Sequence, residues 1–438
     1  MAETSASKLS KRIHTDGSTH YKSATAPANP VEGDLWYDET NGVVKFYDGS
    51  NFIKISAEIP TLSSISGDIT ATAASTLTLS GTNFLTANLV VNFVQSSDAV
   101  DIDVTVTPSS NTSASVTVPS SVYDNVTTGN VVTIKVTNSD TVSSNTLTKT
   151  VLKAPYSVDF LMIAGGGSGG ASNSNSAGGG GAGGYRNSYN NETSGRNSSS
   201  ETALTFSANT VYTITVGAGG SAVSQNTGNK GSNSSIEGSD ITNISSEGGG
   251  FGASQDHGGN GGAGGSGGGA CYDTDSNAKT GGSGTANQGF DGGDKAVSGN
   301  SMGAGGGGAS AEGESVNTDS SPGSEEGAGG DGLASSITGS SVTRAGGGGG
   351  SDENGANGGT GGSGGGGNAG GNNGTANTGG GGGGINNSTN NSGAGGSGVV
   401  ILRMATSNYS STTTGSPTVT TDGSDTILTF TGSGSYTG

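Results

Sequence analysis

Across residues 58–153 apolar and polar side chains alternate in short runs: TLTLSG (76–81), LVVNFV (89–94), DIDVTVTP (101–108), SASVTVP (113–119), VVTIKVTN (131–138) and NTLTKTVL (145–152). A period of two puts successive side chains on opposite faces of a strand. With Ser, Asn, Asp, Gly and Pro between the runs, the pattern predicts an antiparallel sandwich in which Val132, Ile134 and Val136 face inward. Two other runs, VDFLMIA (158–164) and GVVILRM (398–404), do not alternate, as expected of strands buried on both faces. Between them, Leu204 and Phe206, then Tyr212, Ile214 and Val216, alternate as the two arms of a hairpin would. Near the start, GDLWYDETNGVVKFYDGSNFIKIS (33–56) carries the turn signals Asn41-Gly42 and Asp48-Gly49, which predict three short strands. Helical periodicity is absent throughout.

Composition changes the picture between the two apolar brackets. Of the 89 glycines, 77 lie between Gly165 and Gly398, one third of that stretch. Collagen needs a strict Gly-X-Y period and abundant proline, whereas this stretch holds Pro322 alone. A flexible linker would not contain the alternating runs or the brackets. Ordering so many glycines opposes folding by ~1–2 kcal/mol per residue, and glycine has no side chain to offset it. The available compensation is the backbone: in polyproline-II geometry N–H and C=O groups point outward in three directions, so neighbouring runs can hydrogen-bond on several sides. The expected architecture is a bundle of rods at 164–171, 177–184, 247–252, 257–270, 303–309, 345–350, 358–367 and 379–384, joined by polar surface loops.

The fold class is therefore all-β and polyproline II with essentially no α-helix. The expected order is an attachment arm (1–30), a small β module (31–57), an Ig-like sandwich (58–153), a polyglycine-rod domain (154–405) bracketed by strands, and a C-terminal β segment (406–438) packing on it. So small a module, with Trp36, Tyr37, Phe46, Tyr47 and Phe52 as its large groups, should pack on another chain. Trp36, Tyr37, Phe46 and Tyr47 are the expected anchor or oligomer contacts.

A net charge of -19 leaves no basic surface for phosphates, so nucleic acid is not an expected partner. No run reaches 18 apolar residues and the first 30 are polar, so neither membrane insertion nor a secretory signal is expected; lone Cys271 rules out internal disulfides. Gly217-Ala-Gly219-Gly220 lacks the third glycine and following helix of a dinucleotide fingerprint. Asp273 and Asp275 fall short of a calcium site, and His14, His20 and His257 supply no triad or zinc centre. Paired acids such as Glu312, Glu314, Glu325 and Glu326 leave glycan depolymerisation as the remaining catalytic alternative, without aromatics nearby to stack a sugar. No enzyme, metal or cofactor is expected. Rod interiors admit only small residues, so recognition should reside in loops, with His257, Tyr272, Asp273, Asp275, Phe290 and Asp291 as the groups able to stack on or bond to a receptor.

Three parts resemble virion proteins of tailed bacteriophages. PVEGDLWYDETNGVVKFYDGSNFIKIS is similar to a module near the N-terminus of phage fibres; PTLSSISG…STLTLSGTNF…VTIKVTN resembles an IPT/TIG immunoglobulin-like domain, with GTNF at Gly81 to Phe84; and VDFLMIAGGG…YTITVGAGG…GAGGSGVVILRM resembles a Gly-rich domain of phage fibres and bacterial surface proteins. The resemblance implies a non-catalytic receptor-binding adhesin of a virion tail fibre, made in the host cytoplasm and extracellular after release. Its implied partners are a host surface glycan or outer-membrane protein, and other virion proteins through the N-terminus; its implied oligomer is a homotrimer. A capsid-mounted head fibre or decoration protein and a bacterial cell-surface structural protein are the alternatives. Related Gly-rich domains are typically preceded by a segment like the one at Val419 to Thr437, which here follows the domain, either as a truncated second copy or in permuted order.

Overall fold

The computed structural model describes residues 20–438 apart from 41–42, 56–58, 86, 140, 174, 274–276, 296–301, 317–326, 354–357 and 388. The chain divides into two compact units, Met1–Ala154 and Pro155–Gly438. Apart from the single-turn helix Ser120–Tyr123 and three short 3-10 turns, its regular elements among the described residues are strands.

The module is a four-stranded sheet in the order His20–Ser23, Leu35–Asp38, Val43–Tyr47, Phe52–Lys54. The first strand lies inside the stretch expected to be an arm; it pairs in parallel with the second, Tyr21 against Trp36. The expected Asp48-Gly49 turn forms: the Asp48 carboxylate accepts the N–H groups of Ser50 and Asn51 at 2.9 and 2.8 Å, and Gly49 takes φ 92°. Those hydrogen bonds hold the Asp48 carboxyl below its usual range. Asn41-Gly42 lies outside the described residues.

In the sandwich, Ser113–Thr117, Thr76–Thr82 and Thr61–Ser66 form one sheet, and Ile69–Thr70, Leu147–Leu152, Val131–Thr137, Leu89–Gln95 and Val100–Val106 the other. Val132, Ile134 and Val136 are buried as expected, among Leu77, Leu79 and Phe93. The GTNF run is explained by contact: a Cβ on Gly81 would lie 1.9 Å from the Thr61 carbonyl and 2.7 Å from the Phe84 ring. Asn83 takes a left-handed φ of 59°, which turns buried Phe84 back into the core.

The second unit is built on two sheets. One runs Tyr185–Asn187, Tyr156–Ile163, Val399–Ala405, Asp425–Phe430, Thr418–Asp422; the other runs Ile244–Ser246, Ser234–Glu237, Val211–Thr215, Gly434–Thr437, Thr413–Thr414. The two brackets are antiparallel neighbours, Leu161 opposite Ile401. Phe160, Met162, Val400, Leu402 and Phe430 pack with Tyr212, Ile214 and Tyr436 of the second sheet. From the same strands Leu161, Ile163, Val399 and Ile401 pack on Ala182, Ala309, Ile337 and Ala345 of the glycine region. Both faces are covered, which accounts for the lack of alternation. Leu204–Phe206 and Val211–Thr215 do not pair as a hairpin. The first joins Tyr156 and the second joins Tyr436, each in its own sheet, so the tight turn crosses between layers and stacks Phe206 on Tyr212 at 3.5 Å.

The C-terminal segment completes both sheets: Ile427, Leu428, Phe430 and Tyr436 are buried, while Val419 stays exposed on the edge strand. It is thus an integral part of this unit.

At Ala164 the strand becomes a rod and the repeat changes from two to three. N–H groups of Gly165, Ser168 and Ala171 donate to Ser232, Asn229 and Asn226; those of Gly166 and Gly169 to Gly396 and Gly393; those of Gly167 and Gly170 to Gly181 and Gly178, all at 2.9–3.0 Å. The carbonyls accept from a second trio of neighbours: Gly165 and Ser168 from Gly249 and Gly252, Gly166 from Gly220, Gly167 and Gly170 from Gly382 and Ile385. One rod is thereby bonded to six segments, as a three-residue turn allows. A Cβ on Gly167 would sit 2.0 Å from the Gly250 carbonyl oxygen, and one on Gly180 2.2 Å from that of Gly167. Neither glycine has a φ in the left-handed region, so space alone requires glycine there.

Candidate functional site: the loop-bearing end of the bundle

The register of hydrogen bonds places the described connections at one of two ends. Rod 164–171 leaves the sheet and rod 177–184 returns to it at Tyr185, so residues 172–176 lie at the end remote from the sheets, the distal end. Ala253 accepts from Gly178, Ser351 donates to Ala177 and Ile385 donates to Gly170, which puts their neighbouring loops at the distal end too. Ala270 and Gly303 follow through Ala304 and Ser351. At the proximal end, connections between successive rods range from the brief turns 285–288, 310–312 and 364–365 to the segment 333–344, whose strands Leu333–Ser335 and Val342–Arg344 pair with each other. Among the described residues, the distal connections include the turns at 255–259 and 370–373 and the polar segments 271–273 and 277–280.

The two ends divide the expected receptor residues. His257 ends the distal turn Gln255–His257, exposed beside exposed Asp256, and Gly258 and Gly259 close the turn at φ 93° and 71°. Tyr272 is half-buried nearby, its N–H on Ser176 Oγ at 3.4 Å. Asp273 pairs at 3.0 Å with Lys279, whose side chain is 8% exposed. The Gly259 carbonyl accepts from the Cys271 N–H, joining the 255–259 turn and Cys271–Asp273 into one surface. Asp275 lies outside the described residues.

Phe290 and Asp291 are elsewhere. The Gln288 carbonyl accepts from Tyr185 N–H at 2.9 Å and Phe290 N–H donates to Gly308, at the proximal end. Asp291 takes Arg196 Nη1 and Nη2 at 2.9 and 3.2 Å and the Gly284 N–H at 2.7 Å, with the guanidinium 5.5 Å over the Phe290 ring. Arg196 holds the Asp291 carboxyl below its usual range. Both residues brace the 196 loop against the bundle and are not part of the distal surface. Lys279 and Lys295, buried at the distal end and exchanging backbone hydrogen bonds at 2.8 Å, were not singled out by sequence; their polar surroundings carry no periodic signal.

Burial pushes the Cys271 thiol well up, which keeps it protonated and unreactive. Glu314 caps the Ala328 N–H at 3.0 Å, and Glu325 and Glu326 lie outside the described residues. Among the described residues no group of three His, Cys, Asp or Glu is placed to hold a metal ion, and no helix is long and apolar enough to cross a membrane.

In the N-terminal module the cross-strand pairs sort the anchor candidates by face. Trp36 is 6% exposed within its own chain, edge-on to Phe52 at 5.2 Å with Lys45 Nζ 4.6 Å over its ring, and Tyr47 shares that cluster. Leu35, Phe46 and Ile53 pair across the opposite face with Tyr37 and Val44, and there Tyr37 and Ile53 are 39% and 48% exposed.

A family model described as a glycine-rich domain matches residues 141–405, more than half of the chain. No curated protein and no solved structure matches it.

Proposed function

The chain belongs to the glycine-rich domain family, and from that premise we propose that it is a non-catalytic receptor-binding fibre protein of a phage virion, made in the host cytoplasm, that contacts a host surface glycan or outer-membrane protein through its distal loops. The observation that carries this reading is the joining of the polar turn at 255–259 to Cys271–Asp273 at the end of the bundle remote from the sheets. A scaffold whose interior tolerates only glycine, alanine and serine can vary its chemistry only in such loops. His257, Tyr272 and Asp273 are the described contact candidates.

The N-terminal module is the attachment and self-association element, with a homotrimer as the proposed state. The contact face is that of Leu35, Tyr37, Phe46 and Ile53, because Trp36 and Tyr47 are engaged within their own chain. A tail fibre is the proposed placement, with a capsid-mounted head fibre as the alternative.

The test replaces 271–278 by a Gly-Ser segment of equal length in the virion. Lost adsorption to host cells, with normal particle assembly, is the expected result. Adsorption at the wild-type rate, with 255–258 replaced as well, would overturn the assignment.

A further inference from the structure

At the proximal end a groove of about 680 Å³ opens between the 197–201 segment and the 286–288 turn, within the ~300–1,000 Å³ range of small-molecule sites. Its base is a fixed ion pair: Arg186 Nε lies 2.9 and 3.2 Å from the two Glu201 carboxylate oxygens, while Nη1 donates to the Ser245 carbonyl at 2.9 Å. Gln288 is held by its Oε1, which accepts the Glu247 N–H at 2.7 Å, so its amide N–H groups are left without a protein partner. Ser199 and Asn287 line the groove with side chains that make no hydrogen bond to protein. Asn197 and Asn287, from the two different segments, both take left-handed backbone conformations, φ 53° and 62°. Asparagine adopts this conformation readily in tight turns, and here it sets the course of the two segments that flank the groove.

We propose that this groove is a saccharide-binding site for an uncharged oligosaccharide, separate from the distal surface. The chemistry excludes other classes in turn. Alanine 286 is the one apolar side chain in the lining, so a peptide or lipid finds no anchoring pocket. Arg186 is neutralised by Glu201, so no free cation awaits a phosphate or carboxylate. What remains is a planar ion pair, the three amides of Asn197, Asn287 and Gln288, of which Asn197 also donates to the Ser310 carbonyl at 3.3 Å, and the hydroxyls of Ser198 and Ser199, able to donate to and accept from neighbouring hydroxyl groups.

The experiment uses the full chain and saturation-transfer NMR with maltohexaose, isomaltohexaose, mannohexaose and chitohexaose, and hexagalacturonate as the charged comparison. Transfer to at least one neutral oligosaccharide is expected, with affinity reduced about tenfold or more in the double variant Asn197→Gly, Asn287→Gly. Glycine accepts the left-handed backbone, so that variant keeps its thermal unfolding profile. As a second variant, Ser199→Trp fills the groove and should abolish transfer. Silence from all four neutral probes, preference for hexagalacturonate, or undiminished binding by both variants would each overturn the proposal.

Discussion

The sandwich at 58–153 and the bundle at 164–398 solve the same problem with opposite materials. In the sandwich, Leu77, Leu79, Phe93 and Ile134 exclude water with side chains on a two-residue repeat. In the bundle, backbone meets backbone on a three-residue repeat, and the cohesive groups are amides. A side-chain core can shrink or shift when one methylene is lost. A backbone lattice has no such slack: the space at Gly167 ends at a carbonyl oxygen 2.0 Å from where a methyl would begin.

Calorimetry of the full chain, following each unit's unfolding, can break or sharpen this contrast. The largest effect is expected from deleting 415–438, which strips Leu428, Phe430 and Tyr436 from the two sheets that seat the bundle; the transition of Pro155–Gly438 should vanish while that of Met1–Ala154 is unchanged. Next comes Gly167→Ala, expected to cost more than ~4 kcal/mol because the obstructing atoms are backbone. Retention of the wild-type midpoint by that variant would show that the lattice can breathe. Ile134→Val in the sandwich, also a one-carbon change, should cost only ~0.5–1.5 kcal/mol. The smallest effect belongs to Asp291→Asn. With its carboxyl pKa depressed in the folded state, the Asp291 contribution is complete above the unfolded carboxyl value, ~3.9, declines as pH falls from there through the folded pKa, and is absent below it. The carboxylate is 40% exposed, so screening limits the loss at pH 7 to under ~1 kcal/mol. The variant should be less stable than wild type at pH 7 and match it at the acid end.

Both materials left marks in the sequence, of different legibility. The sandwich strands, the brackets and glycine runs such as 164–171, 177–184 and 345–350 were readable because each position in them obeys one rule, whereas the two longest expected rods, 257–270 and 358–367, each double back, Gly268 bonding to Gly262 and Gly364 and Gly365 turning at φ 92° and 102°. Rods at the bundle margin were not. Segment 226–232 holds only Gly228 and Gly231 and is still a full lattice partner of 165–171, since only the inward third of its residues must lack a side chain. The hairpin expected at 204–216 failed because alternation reports a strand's faces without naming its neighbour. Phe290 and Asp291 were grouped with Tyr272 because all sit in polar stretches. Deciding which end a turn occupies needs the up-and-down order of all rods, and that is set by pairings such as Gly166 with Gly396.

That same pairing has a kinetic meaning. Rod 164–171 is among the first parts of the bundle to leave the ribosome, and its partner 393–396 is the last, about 230 residues later. At ~5–20 residues per second the first rod waits on the order of 10–50 s before that side of it can be bonded. The domain therefore has high contact order: its assembly waits on the emergence of 393–405, with the Val399–Ala405 strand docking on Tyr156–Ile163 as the event that closes the lattice.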